Sequence, residues 1–403
     1  MKILSVVGAR PNFMKIAPIV SAIKSYNAGS FPFATTRGKG KIDHFLVHTG
    51  QHYDRIMSES FFQDLGISKP DASLGVGSGT HAAQTSEILR MFEPILLDER
   101  PDVVIVAGDV NSTLGCALVA AKISYDSNGK RPLIAHVEAG LRSFDRTMPE
   151  ELNRILTDHL SDLLFVTEQS GIENLNREGI SEEKIFFVGN TMIDTLLSFR
   201  ETASKSNVLQ SKGLIEHRSG SDVIVPYALL TLHRPSNVDD RDTFLGILEA
   251  LEKIATRLPI IFPAHPRTQK QISSFQLQNV PSLASCFGTG NLNSDSYGIN
   301  ITEPLGYVDF LCLMANAKVV LTDSGGIQEE TTCLGVPCVT IRENTERPIT
   351  VSEGTNIISG VKPDAIVSAT NSQLNRKKGN SVPKFWDGNA AMRILDAILK
   401  QFA

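Results

Sequence analysis

Cysteine and tryptophan are scarce in this chain, five and one respectively among 403 residues. The cysteines are Cys116, Cys286, Cys312, Cys333 and Cys338; they are odd in number, sit largely in apolar stretches and nowhere form a Cys-x-x-Cys pair. That argues against a disulfide framework, a zinc ribbon or a redox pair, and leaves buried thiols as the plain reading. Long hydrophobic runs are missing too. The first apolar run, Ile3–Val7, is broken by Gly8-Ala9-Arg10-Pro11, too short for the core of a secretion signal, and no stretch approaches a membrane span. The expected compartment is the cytoplasm. Charge of one sign is not in excess either: 39 Lys and Arg against 44 Asp and Glu leave a net charge of -5. No overall field then favours nucleic acid or anionic lipid, so any phosphate site must be local.

What is present is a repeating unit: a short apolar run, a turn rich in Gly, Asp, Ser or His, then a helical period. That pattern predicts an α/β fold built on parallel sheets. Expected strands are Ile3–Val7, His44–His48, Val103–Ala107, Ile134–Val137, Leu163–Val166 and Ile185–Val188, then Tyr227–Leu232, Ile260–Pro263, Val319–Thr322 and Cys338–Ile341. Their near-continuous hydrophobicity suits strands covered on both faces. At 403 residues two domains are expected. A boundary near residue 190 gives a first domain over 1–190 and a second over 191–383, with the polar segment from Ser198 to Asp222 ahead of the next strand. Asn27–Lys41 and Gly288–Asn300 lack apolar periodicity and read as long loops. From Trp386 onward, Met392, Ile394, Leu395, Ile398 and Leu399 recur at helical spacing and predict a closing amphipathic helix.

Ligands of parallel α/β sheets bind beyond the carboxyl ends of strands, where helix N-termini converge. In the first half those positions hold Gly8-Ala9-Arg10-Pro11-Asn12-Phe13-Met14-Lys15, Gly108-Asp109-Val110-Asn111-Ser112-Thr113 and Glu138-Ala139-Gly140-Leu141-Arg142. In the second they hold His233-Arg234-Pro235, His265-Pro266-Arg267, Asp323-Ser324-Gly325-Gly326 and Arg342-Glu343-Asn344-Thr345-Glu346-Arg347. Each has a plainer alternative. Arg10 and Lys15 read equally as solvated cations, Asp109 as a cap for the helix near Ser112, and Glu138 as the partner of Arg142. Glu150, in Pro149-Glu150-Glu151, reads as a carboxylate favoured by a helix start, at i,i+4 spacing to Arg154. The clearest anion site is Ser324, Gly325 and Gly326, whose hydroxyl and open N–H groups begin a helix; Glu330 lies a turn further in, where it can accept from a ribose. No spacing suggests a metal, and no cofactor is expected.

Taken in order, these blocks, with His48-Thr49-Gly50-Gln51-His52-Tyr53-Asp54 and Met148-Pro149-Glu150-Glu151-Leu152-Asn153-Arg154, resemble the non-hydrolysing UDP-N-acetylglucosamine 2-epimerases over nearly the whole chain. The resemblance implies two Rossmann-like domains facing across a cleft, as in GT-B type glycosyltransferases. It also implies a closing helix, about 384–403, that packs back on the first domain. It implies a UDP site of Arg10, Lys15, His233, Phe310, Ser324, Gly325, Gly326, Glu330 and Arg347. Asp109, Glu138 and Glu150 would be the catalytic carboxylates, with His233 beside them. Gln51 and His52 become candidates for an activating substrate site, and a homodimer is implied. Ser236 stands where many members carry Glu, and Leu305 where many bacterial members carry Gln. The implied chemistry is anti elimination of UDP to 2-acetamidoglucal and re-addition with inversion at C2. Alternatives are a hydrolysing relative releasing UDP and N-acetylmannosamine, a UDP-sugar glycosyltransferase, or a sugar-nucleotide sensor without turnover.

Overall fold

A computed structural model describes residues 1–32, 40–51, 66, 68–218, 220–277, 298–376 and 382–402. His52 and Cys286 lie outside the described residues, as do 33–39 of the first expected loop and 288–297 of the second. The chain forms two compact units, Met1–Leu197 with Lys384–Ala403, and Ser198–Pro383.

Unit 1 is built on seven strands: β1 (Lys2–Val7), β2 (Asp43–His48), β3 (Ala72–Ser73), β4 (Val103–Ala107), β5 (Leu133–Ala139), β6 (Leu163–Val166) and β7 (Ile185–Phe187). They pair in the order β3-β2-β1-β4-β5-β6-β7, every pair parallel. The central β4, Val-Val-Ile-Val-Ala, is buried throughout. Each of its Val and Ile side chains contributes roughly 1.5–3 kcal/mol relative to exposure. Helices Arg10–Asn27, His81–Glu99, Asn111–Lys122, Pro149–Leu160, Gln169–Arg177 and Thr191–Ser204 connect and cover these strands. The closing helix, Ala390–Lys400, packs on Arg10–Asn27. Asp194 fastens it, accepting from Ala390 N at 3.1 Å and Ala391 N at 2.7 Å. Trp386 is buried just ahead of it, its indole donating to the Thr167 carbonyl at 3.1 Å.

Unit 2 holds β10 (Ala228–Thr231), β11 (Ile260–Pro263), β12 (Ile299–Thr302), β13 (Val319–Thr322), β14 (Cys338–Thr340) and β15 (Asn356–Ile358). Their order is β12-β11-β10-β13-β14-β15, again all parallel. Ahead of this sheet, the segment expected to be only polar linker carries the end of Thr191–Ser204, a short helix at Val208–Ser211 and an antiparallel hairpin, β8 (Ile215–Arg218) with β9 (Ser221–Ile224). Three further strands, β3, β12 and β15, were not expected. They lie at sheet edges; β3 is only two residues long, and asparagine breaks or opens the apolar run of the other two. β12 takes Ile299 and Asn300 out of the second expected loop. Cys116, Cys312 and Cys338 are buried and Cys333 is half-buried, all as free thiols. Among the described residues no helix is long and apolar enough to cross a membrane.

Gly189 ends the first series with φ +89°, and a Cβ there would lie 2.0 Å from the Phe385 carbonyl oxygen. Left-handed backbone and overlap with a neighbouring main chain each cost on the order of 1–3 kcal/mol. Gly189→Ala should therefore lower the denaturant midpoint by an amount equivalent to about 2–4 kcal/mol. An unchanged midpoint would mean that the returning segment around Phe385 does not seat on Gly189.

Candidate functional site

In unit 1, the strand register aligns Ala107 of β4 with Val137 of β5, so the turns that follow these strands are neighbours. Asp109 leaves the first turn and Glu138 stands in the last residues of β5, where the pairing with β6 bulges between Val137 and Ala139. Glu138 has φ +74°, a left-handed conformation that costs a non-glycine residue on the order of 1–3 kcal/mol and persists only where its surroundings enforce it. Its carboxylate lies 2.6 Å from Lys15 Nζ, with both side chains almost wholly buried. Lys15 is therefore no solvated cation, and Arg142 pairs with Asp158 and Glu178. Arg10, by contrast, is exposed at the start of its helix.

Asp109 does not cap the helix after it. That helix begins at Asn111 behind Val110, which offers no side-chain cap, and the Ser112 N–H goes to Gln51 Oε1 at 2.9 Å. The Asp109 carboxylate pairs instead with Arg154, and its carbonyl accepts from Asn153 Nδ2 at 2.9 Å. Both partners come from Pro149–Leu160, whose first turn carries the half-buried Glu150. Arg154 also holds Glu151 at 2.7 Å. Glu151 is buried, but bonds from Ser143 N, Arg154 and Phe144 N outweigh burial and keep its carboxyl below the ordinary glutamate value. Gln51 is buried, and its Oε1 takes the Ser112 hydroxyl as well at 2.7 Å. Its sequence partner His52 lies outside the described residues.

Sequence reasoning passed over another carboxylate. Asp158, fully buried on the same helix, accepts from Gly140 N at 3.1 Å and lies 2.6 Å from His136 Nδ1 and 2.7 Å from Arg142 Nη2. His136 Nε2 reaches the Gly108 carbonyl at 2.8 Å, while Arg142 also grips Glu178 at 2.8 and 2.7 Å. Burial alone would raise the Asp158 carboxyl, but the charges of His136 and Arg142 hold it below 3.8.

In unit 2 the functional candidates leave the ends of three adjacent strands, β10, β13 and β14. His233 follows β10; its Nδ1 lies 3.1 Å from Asp323 Oδ1, and His233 N and Arg234 N both donate to Asp323 Oδ2 at 2.9 Å. A buried carboxylate thus fixes the ring by Nδ1. Ser324 is the N-cap of helix Gly325–Leu334, with no cap bond from its own side chain. A Cβ at Gly325 would lie 2.7 Å from Arg347 Nη1, so only glycine lets that guanidinium rest against the helix start. Arg347 is buried between Glu346 at 2.7 Å and Glu329 at 2.9 Å. Glu346 also takes Arg342 at 2.8 Å and Arg234 at 3.4 Å, gathering three guanidiniums beside the helix start. Burial, with Arg234 and Arg347 nearby, pushes Arg342 below its ordinary value despite Glu346. Glu330 is buried and accepts from the Tyr307 hydroxyl at 2.8 Å; Phe310, half-buried, lies one turn along the same Tyr307–Asn316 helix.

Asp109, Glu138 and Lys15 thus converge in unit 1, with Glu150 one turn from Arg154. His233, Ser324, Gly325, Gly326 and Arg347 converge in unit 2. Asp158 and Tyr307 were missed, while Asp323 and Glu346 were named only as members of their turns; each of the four is held to a partner side chain. Among the described residues no group of His, Cys, Asp or Glu could hold a metal ion.

Known proteins resemble this chain in sequence and in fold. The family model described as UDP-N-acetylglucosamine 2-epimerase matches residues 34–399. A UDP-N-acetylglucosamine 2-epimerase of Methanocaldococcus jannaschii is 41% identical over 399 residues, with 98% of each chain covered. A UDP-2,3-diacetamido-2,3-dideoxy-D-glucuronate 2-epimerase of Pseudomonas aeruginosa is 36% identical, covering 99% of this chain and all of that one. The crystal structure of the M. jannaschii enzyme with UDP-GlcNAc and UDP superposes with a TM-score of 0.83 at 40% identity, covering 99% of this chain and 100% of that one.

Asp158 and Asp323 are both buried and both held below 3.8, the latter by His233 and backbone N–H groups against the burial that opposes them. A depressed carboxyl gives stability that is complete above its unfolded value and is withdrawn as pH falls through the folded one. The part of the denaturant midpoint that these two carboxyls carry should accordingly hold steady down to about pH 4 and then be lost. Asp323→Asn should lower the neutral-pH midpoint while flattening that acid limb; an equally steep limb in the variant would show that Asp323 does not titrate this way.

Proposed function

Because this chain belongs to the UDP-N-acetylglucosamine 2-epimerase family, we propose that it inverts C2 of UDP-N-acetylglucosamine to give UDP-N-acetylmannosamine by losing and regaining UDP. The acidic set in unit 1 carries this reading: Asp109, Glu138 and Glu150 lie on linked elements. A glycosyltransferase would have little use for three such groups.

C2–H of the sugar has no adjacent carbonyl to absorb charge, so its electron pair must go toward C1. A carboxylate takes the C2 proton, the C1–C2 double bond forms, and the C1–O pair leaves with UDP. Proton return to the opposite face of C2 and attack of the UDP oxygen on C1 then give the epimer. Atoms and electrons balance with no redox partner. Removal and return on opposite faces need more than one acid-base group. Asp109, Glu138 and Glu150 fill those roles.

Departure of UDP requires fixed positive charge and N–H groups around the diphosphate. Arg10, Lys15, His233, Arg347 and the helix start at Ser324, Gly325 and Gly326 are assigned that task. Glu330, steadied by Tyr307, takes the ribose, and Phe310 completes the nucleotide site. Ser236 supplies no carboxylate at its position, so this part of the grip rests on His233 and Arg234. The proposed setting is the cytoplasm and the proposed assembly a homodimer, which sedimentation at working concentration would test.

Incubation with UDP-N-acetylglucosamine in heavy water should yield both UDP-sugars with deuterium at C2, read by NMR. Free N-acetylmannosamine formed in step with UDP would replace this reading with hydrolysis. Glu138→Gln should lower kcat by about 100- to 10,000-fold, and unchanged turnover would remove Glu138 from the chemistry.

A further inference from the structure

Three carboxylates can act on one carbon only if their backbones are held in register, yet each stands on a different segment: the turn after β4, the end of β5, and the start of Pro149–Leu160. Asp158 lies on one of these segments, touches a second directly and reaches the third through His136. It belongs to the helix that begins beside Glu150. Its Oδ2 accepts from Gly140 N at 3.1 Å, two residues beyond the left-handed Glu138. Through its 2.6 Å contact with His136 Nδ1 it orients a ring whose Nε2 meets the Gly108 carbonyl at 2.8 Å, one residue before Asp109.

The chemistry of that chain fixes its direction. A carbonyl only accepts, so His136 Nε2 donates to Gly108, and a proton is shared between Nδ1 and Asp158. Arg142, at 2.7 Å, supplies a further charge that keeps Asp158 an acceptor. All three side chains are buried, so no water competes for these bonds.

We propose that His136 and Asp158 are positioning residues for the epimerisation, locking the turns of Asp109 and Glu138 to the helix of Glu150 without touching substrate. This rests on the epimerase reading above. It accounts for the strained φ of Glu138, which needs enforcement from both sides in sequence, and His136 and Gly140 flank it.

The test uses the full chain and two substitutions. His136→Asn keeps a donor toward Asp158 but cannot span to Gly108; His136→Gln places its amide near the position of Nε2. Displacement of about 1 Å in a reacting group costs on the order of 100-fold in rate. His136→Asn is expected to lose about that much kcat with KM and UDP affinity within about threefold of wild type, and to leak more free glycal per turnover. His136→Gln should recover part of the loss. Equal kcat in wild type and both variants, or better turnover in His136→Asn than in His136→Gln, would overturn the proposal. Loss of UDP affinity in step with kcat would reduce His136 to a general folding role and overturn it as well. A wild-type protein that puts no deuterium on C2 would instead sink the epimerase reading itself. If the variants do not fold, amide exchange in the wild type decides: the Gly140 N–H should exchange only with global unfolding, and loop-like exchange would overturn the lock.

Discussion

In a parallel sheet every strand delivers its chain to the same edge, and among the described residues the seven- and six-stranded sheets both obey that rule. Backbone groups inside the sheet are satisfied by the ladder, so the unsatisfied ones, with the glycines and polar side chains that serve them, gather at one rim. The turns after β4 and β5 in unit 1, and after β10, β13 and β14 in unit 2, supply most of the candidate residues. Helices covering both faces bury the strands, which is why β4 can be wholly apolar and still end in a charged turn.

Concentrating charge at a rim has a cost. Moving ions out of water is unfavourable by several kcal/mol each unless they are paired and hydrogen-bonded. The buried cations of these rims are met by specific partners: Lys15 by Glu138, Arg154 by Glu151 and Asp109, Arg142 by Asp158 and Glu178, and the Arg347 cluster by Glu346 and Glu329. Such pairing offsets desolvation more than it adds stability. What it supplies is orientation, because a charge that must keep its partner cannot wander.

That distinction explains which parts were legible in the sequence. Strands β1, β4, β5, β6, β10, β11 and β13 announce themselves as apolar runs, and the reactive turns follow from their ends. The edge strands β3, β12 and β15 do not, since β3 is only two residues long and asparagine breaks or opens the apolar run of the other two. Partner choice was the least legible feature. Sequence proximity suggested Glu138 with Arg142 and Glu150 with Arg154, whereas Glu138 meets Lys15 from a helix more than a hundred residues away and Arg154 meets Asp109 from the neighbouring turn. Local spacing gives at most a few tenths of a kcal/mol to an exposed pair, too little to compete with a buried alternative.

One signal for the buried network was present all the same. The Pro149–Leu160 helix buries Glu151, Asn153, Arg154, Thr157 and Asp158 while leaving Leu152 and Leu156 38% and 50% exposed. This inverts the usual pattern, in which the apolar stripe faces inward. Burying five polar residues on one helix face is tolerable only where the neighbouring turns offer complementary donors and acceptors. The turns after β4 and β5 do so through the Gly140 N–H, the Asp109 carbonyl, and the His136 and Arg142 side chains. A helix whose buried face reads as polar therefore points to a hydrogen-bonded framework beneath it. Here that framework lies under the three carboxylates, where fixed geometry matters most.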